Sequence, residues 1–100
     1  MTQYQIKAEP SVDADVEAVF DWYEGEQEGL GLEFVDELRA VYLRIVDGPL
    51  KYVELRSRIR RALTGRFPYA VYFSIEETVV VVLAVLHAAR DPAEWQRRME

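Results

Sequence analysis

The chain has no cysteine, which excludes a disulfide framework, a thiolate metal site and a cysteine nucleophile. It also lacks any apolar run near the ~18–20 residues that a membrane-spanning helix needs. The longest run, Val79 to Leu86, is rich in β-branched side chains and predicts a buried strand. The first residues, Met1-Thr2-Gln3-Tyr4, show neither the basic start nor the apolar stretch of a signal peptide. The expectation is a cytoplasmic protein with no membrane partner. Histidine is scarce: His87 stands alone. A single histidine without cysteine does not by itself make a zinc site, so neither metal nor cofactor is expected. A phosphate-binding glycine loop, a dinucleotide fingerprint and a Ser/His/Asp signature are missing too.

What is there suffices for one domain, expected to span residues 1–100. Half of the residues are hydrophobic, an efficient core for a length that buries only roughly 60–65% of its unfolded surface. The net charge is −6, unevenly spread: residues 1–50 hold three Lys/Arg against twelve Asp/Glu, and residues 51–100 hold nine against six. The acidic front half repels nucleic acid. The basic back half meets phosphate only if its arginines cluster on one surface; a solvated helical surface followed by ordinary strand arginines is the plainer reading.

Tyr4, Ile6 and Ala8 alternate with Gln5 and Lys7, a first strand that Pro10 stops. Ser11 is an expected N-cap, with Asp13 and Asp15 at the positive end of a helix dipole. Val12, Val16, Val19, Phe20 and Tyr23 recur at helical spacing, predicting a helix to about Glu28. Gly29-Leu30-Gly31 predicts a tight turn. A second helix comes next, with Phe34, Val35, Leu38, Val41, Tyr42, Ile45 and Val46 as its apolar stripe, and Gly48-Pro49 ends it. Lys51 to Ser57 reads as a connection that has room for a short strand. Strands are then expected over Ile59–Arg66, Tyr69–Ile75 and Thr78–His87, with Glu76-Glu77 as a turn and antiparallel neighbours across the short links. Asp91 and Pro92 open a last short helix as N-cap and first residue, anchored by Trp95. The order β-α-α-β-β-β-α is α+β: a mainly antiparallel sheet with a helical hairpin on one face, the opposite face left uncovered for a site.

Three stretches, in this order, resemble the RelE/ParE family of bacterial toxins. The first is Ala18, Trp22-Tyr23, Gly29-Leu30-Gly31, Glu33-Phe34 and Glu37-Leu38. The second is Ile59-Arg60-Arg61, Arg66-Phe67-Pro68-Tyr69 and Val71-Tyr72. The third is Val82 to Leu86, His87, Arg90-Asp91-Pro92, Trp95 and Arg98. Together they cover roughly residues 4 to 98. The resemblance implies the growth-inhibiting toxin of a type II toxin–antitoxin pair, silenced by a cognate antitoxin. It carries two mechanisms, and fold does not choose between them. RelE-like members cut messenger RNA in the ribosome; ParE-like members poison DNA gyrase without catalysis. RelE-like nucleases usually place an arginine where this chain has Tyr69, and many add a tyrosine or a basic cluster near the end. Here no tyrosine comes after Tyr72, and the tail offers Arg97 and Arg98. The pattern Phe67-Pro68-Tyr69 with His87-x-x-Arg90-Asp91-Pro92 is more similar to the ParE-like branch.

On this resemblance, target contact falls to His87, Arg90, Trp95, Arg97 and Arg98, and antitoxin contact to Trp22, Tyr23, Phe34 and Leu38, the antitoxin wrapping the helical hairpin and an exposed strand edge by helix-in-groove contacts and strand addition. A metal-independent endoribonuclease is the alternative. It needs His87 for proton transfer, with Arg90, Arg66, Arg60 and Arg61 to stabilise a phosphorane-like transition state. Each residue also has an ordinary reading. His87 hydrogen-bonds Asp91 or a backbone carbonyl. Arg90 and Asp91 pair or cap the last helix. Arg60 and Arg61 point to opposite sheet faces, one of them pairing with the helical acids, while Arg58 shares a face with Arg60. The aromatics of the Tyr69 strand pack the core, with Tyr69 and Phe73 on one face and Tyr72 on the other. The Glu24-Glu26-Glu28 run is a solvated helix end.

Overall fold

A computed structural model describes residues 2–89 and 92–99. Strand β1 (Gln5–Ala8) leads into helices α1 (Pro10–Glu26) and α2 (Leu30–Asp47). A 3-10 turn at Pro49–Lys51 then opens four strands: β2 (Glu54–Arg56), β3 (Ile59–Leu63), β4 (Tyr69–Glu76) and β5 (Val79–His87). Helix α3 (Pro92–Met99) closes the chain. This is the expected α+β order with the short extra strand β2 realised.

Helix α1 starts earlier than the Ser11 cap predicts. Pro10 takes the first helical position and Glu9 becomes the N-cap, with no side-chain bond. Proline suits that position because its φ is preset and its missing N–H has no partner to lose there. The glycine turn is also tighter than expected. Gly29 is left-handed, at φ 88°, and α2 begins at Leu30. Its first amides are capped by Glu24, whose two carboxylate oxygens accept the N–H groups of Gly29 and Gly31, each at 2.9 Å. Glu24 is therefore not part of a merely solvated helix end: it ties one helix to the next. Gly31 lies where the helices nearly touch; a Cβ there would sit 2.8 Å from the Phe20 carbonyl oxygen.

The sheet order is β1-β5-β4-β3-β2. β1 runs parallel to β5; the other three pairings are antiparallel. β3 stops at Leu63 rather than Arg66, because Thr64 turns the chain by bonding the carbonyls of Phe67 and Tyr69. Ser57 and Arg58 both have positive φ between β2 and β3, a two-residue turn that takes Arg58 out of the expected alternation with Arg60.

The helical hairpin contributes Val12, Val19, Phe34, Leu38, Val41 and Ile45 to the main core, and the sheet contributes Val71, Phe73, Val80, Val82 and Val85. Burying side chains of this size stabilises the fold by about 1.5–3 kcal/mol each. The sheet's far face is not bare, contrary to expectation. Ile59, Ala70, Tyr72 and Ala84 form a second buried cluster there, with Leu83 and Leu86 packed against it.

One irregularity in β5 decides which layer the end of that strand addresses. Tyr72 faces Ala84 while Phe73 faces Val82, so Leu83 has no partner on β4. The extra residue reverses the alternation. Val80 and Val82 point to the hairpin side, Leu83 and Ala84 both point away, and Val85 returns to the main core. A bulge re-aims every side chain beyond it. His87, paired with Tyr69, thereby faces the helices.

Candidate functional site

Small residues on α1 leave room above the end of β5. Ala14 and Ala18 form one wall of an open pocket of about 330 Å³, with Asp15, Trp22, Tyr69, Val85, Leu86, His87 and Arg98 around it. This pocket lies between hairpin and sheet, whereas the sequence pointed to the far face.

His87 sits at the end of an aromatic chain. Phe34 and Phe67 pack edge-on to Tyr23 or one another, Phe34 meets Tyr69 at 5.4 Å, and Tyr69 meets the His87 ring at 5.3 Å. Burial and the neighbouring Tyr69 hold the Tyr23 phenol above its ordinary range. The Nδ1 atom of His87 accepts the backbone N–H of Ala89 at 3.1 Å. The sequence led to a bond with a carbonyl or Asp91; among the described residues the partner is an amide donor, and Asp91 lies outside them. An Nδ1 that accepts leaves the neutral ring's proton on Nε2. Trp22, 60% exposed, is the pocket's outer rim.

Asp15 organises the opposite side, a role that no spacing signal distinguished among the twelve acids of the front half. β1 pairs with β5 only as far as Val82. Beyond that point the N–H of Val85 donates to Asp15 Oδ2 at 3.0 Å. The guanidinium of Arg98 grips the same carboxylate with both terminal nitrogens, each at 2.9 Å. The pair is mostly buried, so it latches α3 onto α1 through a bidentate, charge-assisted contact.

Among the described residues, Arg60 and Arg66 are held by other partners. Arg60 lies opposite Phe73, four positions along β4 from Tyr69, or roughly 14 Å at ~3.4 Å per residue. It pairs with Glu54 and donates to the Tyr52 carbonyl, not to the helical acids. Arg61 is on the opposite sheet face from Arg60, as alternation requires. Arg66 is held by α2: its backbone N–H donates to Glu37, its side chain to Glu33, and its guanidinium lies 5.0 Å from the Phe67 ring. The Glu33 hydrogen bond raises the already high pKa of Arg66 further. Arg97 is exposed on α3. Arg90, Asp91 and the side chain of Trp95 lie outside the described residues. Among the described residues, no cluster of three or more His, Asp or Glu could hold a metal ion, and no helix is long and apolar enough to cross a membrane.

Of the expected antitoxin contacts, Phe34 is completely buried and Tyr23 packs in the ring cluster. Leu38 lines a groove of about 430 Å³ along the hairpin, with Val16, Phe20, Val35 and Tyr42 in it and Asp13 and Glu17 beside it. The Tyr42 phenol is pushed up to about 12 by burial first, then by Asp13 and Asp15. Of these groove residues the sequence named only Leu38 as a contact and read Val16, Phe20, Val35 and Tyr42 as part of the apolar stripes. The stripe that looks continuous in sequence is divided between core and groove.

Solved structures share this fold. A chain from the chromosomal ParDE toxin–antitoxin system of P. aeruginosa superposes with a TM-score of 0.76 at 15% identity, covering 85% of this chain and 96% of that one. A chain of the RelBE2 toxin–antitoxin complex of Mycobacterium tuberculosis gives 0.59 at 18% identity, covering 86% and 99%. At such identity these likenesses speak for the fold alone. Among curated proteins none matches the chain. The sequence itself decides the family: residues 6–92 match the family described as ParE toxin of type II toxin-antitoxin system, parDE. That span runs from β1 through the end of β5 and includes the hairpin, the bulge and His87, so the chain belongs to the ParE toxin family.

Proposed function

We propose that this chain arrests bacterial growth from the cytoplasm by binding a protein target, DNA gyrase by family resemblance, without catalysis. The observation that carries the reading is that, among the described residues, Arg60, Arg66 and Arg98 are each committed to a carboxylate or carbonyl. Phosphodiester cleavage needs a proton-transfer group and a cation on the same phosphate. Here Arg98 is committed to Asp15, Arg66 to Glu33, and Arg60 to Glu54 and the Tyr52 carbonyl. What the pocket offers is an exposed tryptophan, a tyrosine, an imidazole and small side chains, which suit anchoring of a partner's side chain. Target contact is assigned to Trp22, His87 and Arg97, with Arg90 and Trp95 retained from the sequence and Arg98 as a positioning residue.

A cognate antitoxin is assigned to the hairpin groove. An amphipathic helix fits such a groove, and basic flanks would suit Asp13 and Glu17.

The test is induced expression in a bacterial host, with growth, DNA-damage response and total messenger RNA followed together. The expected result is arrest with a damage response and intact messenger RNA. Arrest with rapid messenger RNA loss, abolished by His87→Ala, would establish the endoribonuclease reading in its place. Normal growth with soluble folded protein would remove the toxic activity from this chain in that host.

A further inference from the structure

Helix α2 turns one face to solvent, away from both core and groove. Phe34, Val41 and Ile45 point into the core, and Val35, Leu38 and Tyr42 border the hairpin groove. Leu32, Asp36, Arg39 and Leu43 follow one another at steps of four, three and four residues, which puts them on one stripe opposite the core-facing residues. All four are exposed, Leu32 at 60% and Leu43 at 67%. Asp36 and Arg39 pair with each other at 3.6 Å in a contact that is itself mostly in solvent, and such a pair contributes little to one chain.

A lone exposed leucine is ordinary. The placing of this pair is not. Of the seven exposed large hydrophobics among the described residues, Trp22 rims the His87 pocket and four fall within residues 49–63; Leu32 and Leu43 are the two that remain. They lie roughly 16 Å apart along the helix axis at 1.5 Å per residue. The four positions are symmetric about the peptide bond between Glu37 and Leu38, and their characters run apolar, acidic, basic, apolar. Reversed, such a stripe is complementary to itself. Its steps are also those of a heptad seam. Laid antiparallel on a second copy, Leu32 meets the Leu43 of that copy at each end, and Asp36 meets its Arg39 in two layers at the centre.

We propose that two copies of the chain associate through this face, as an antiparallel α2–α2 pair about a two-fold axis. The leucine layers remove apolar surface from water, and the two Asp36–Arg39 layers fix the direction, because a parallel pair would set acid beside acid and base beside base. A helix of another protein would answer the leucines, but the reversal symmetry fits a second copy. Each copy carries −6, a repulsion that about 0.15 M salt screens beyond roughly 8 Å, and one pair of helices gives an interface at the small end of the specific range. The association is therefore weak and reversible. The stripe shares no residue with the hairpin groove or the His87 pocket, and it does not depend on the toxin reading.

The test is sedimentation equilibrium of the folded chain at about 0.15 M salt. The expected result is a reversible monomer–dimer equilibrium with a Kd of about 10–100 µM. Leu43→Glu should weaken it at least about tenfold. Asp36→Arg puts two cations in each central layer and Arg39→Asp two acids, so each variant alone should also dimerise at least about tenfold more weakly. An equimolar mixture of these two restores opposite charges in both layers and should return the Kd to within about threefold of the parent chain's. A chain still monomeric at about 1 mM, a dimer indifferent to these substitutions, larger oligomers in place of a dimer, or a mixture that stays monomeric would each overturn the proposal. All three substituted side chains are at the surface, and circular dichroism of each variant separates lost association from lost fold.

Discussion

Two strands of this sheet lose a neighbour partway along, and the molecule treats them differently. β5 outlasts β1 at Val82, and there Asp15 caps the Val85 N–H while Arg98 brings α3 against the same carboxylate. β3 outlasts β2 at Arg60, and there the chain leaves a groove between apolar and basic side chains. One edge is closed by a buried charge pair; the other is left for something else to close. Unpaired strand edges are hazards that proteins cover or blunt. An edge left open beside exposed Leu and Val is therefore informative, and the closed edge supplies the internal control.

The strongest way to break the contrast is to open the closed edge. Asp15→Ala removes an acceptor from a mostly buried N–H and strands Arg98, and should cost about 2–3 kcal/mol in urea unfolding. Exchange at Val85 and along α3 should rise together; unchanged α3 exchange would show that Asp15 is not the latch. Glu24→Ala tests whether backbone capping by a carboxylate is as costly away from any strand. Loss of the α2 cap should cost about 1–2 kcal/mol. A smaller effect concerns pH. The Tyr42 phenol lies above its ordinary 10.0, at about 12, so the fold holds its neutral form. That contribution is fully present below pH 10 and is lost as pH rises from about 10 to about 12. Tyr42→Phe should flatten this part of the stability profile, and Asp13→Asn should reduce it. At the open edge the expected effect is least: Val53→Ser or Leu63→Ser should change stability by no more than about 0.5 kcal/mol, while a closed edge would give a measurable loss.

The same contrast separates what the sequence showed from what it hid. The helical hairpin was legible because Val12, Val16 and Val19, then Phe34, Leu38, Val41 and Ile45, repeat at one period and border acids. The strand order around Tyr69 and His87 was legible from the short links. The bulge was not. From Val79 to Leu86 every residue is apolar, so no alternation existed whose interruption could be seen, and the face presented by His87 could not be counted out. Asp15 was hidden for the opposite reason: it was one acid among many, and its place near the helix start already explained it as a partner of the helix dipole. Glu24 needed the left-handed turn at Gly29 to bring two amides within reach. An exposed strand edge was expected but not its place: Lys51 to Ser57 read as a connection with room for a short strand, and that β2 leaves Arg61 to Leu63 without a neighbour is seen only in the register.

Leu83 carries a consequence for comparing this chain with its relatives. A strand with one inserted residue is two half-strands of opposite phase, and a column-by-column alignment hides the break. A relative of equal length whose strand runs regularly, without the bulge, would turn its counterpart of His87 to the other layer, with Ala70 and Tyr72 rather than Trp22 and Tyr69. Two such chains could share every residue at the strand's end and still have unlike pockets. Sorting relatives by whether they keep the bulge would therefore group them by the surface they offer a target more faithfully than overall identity does.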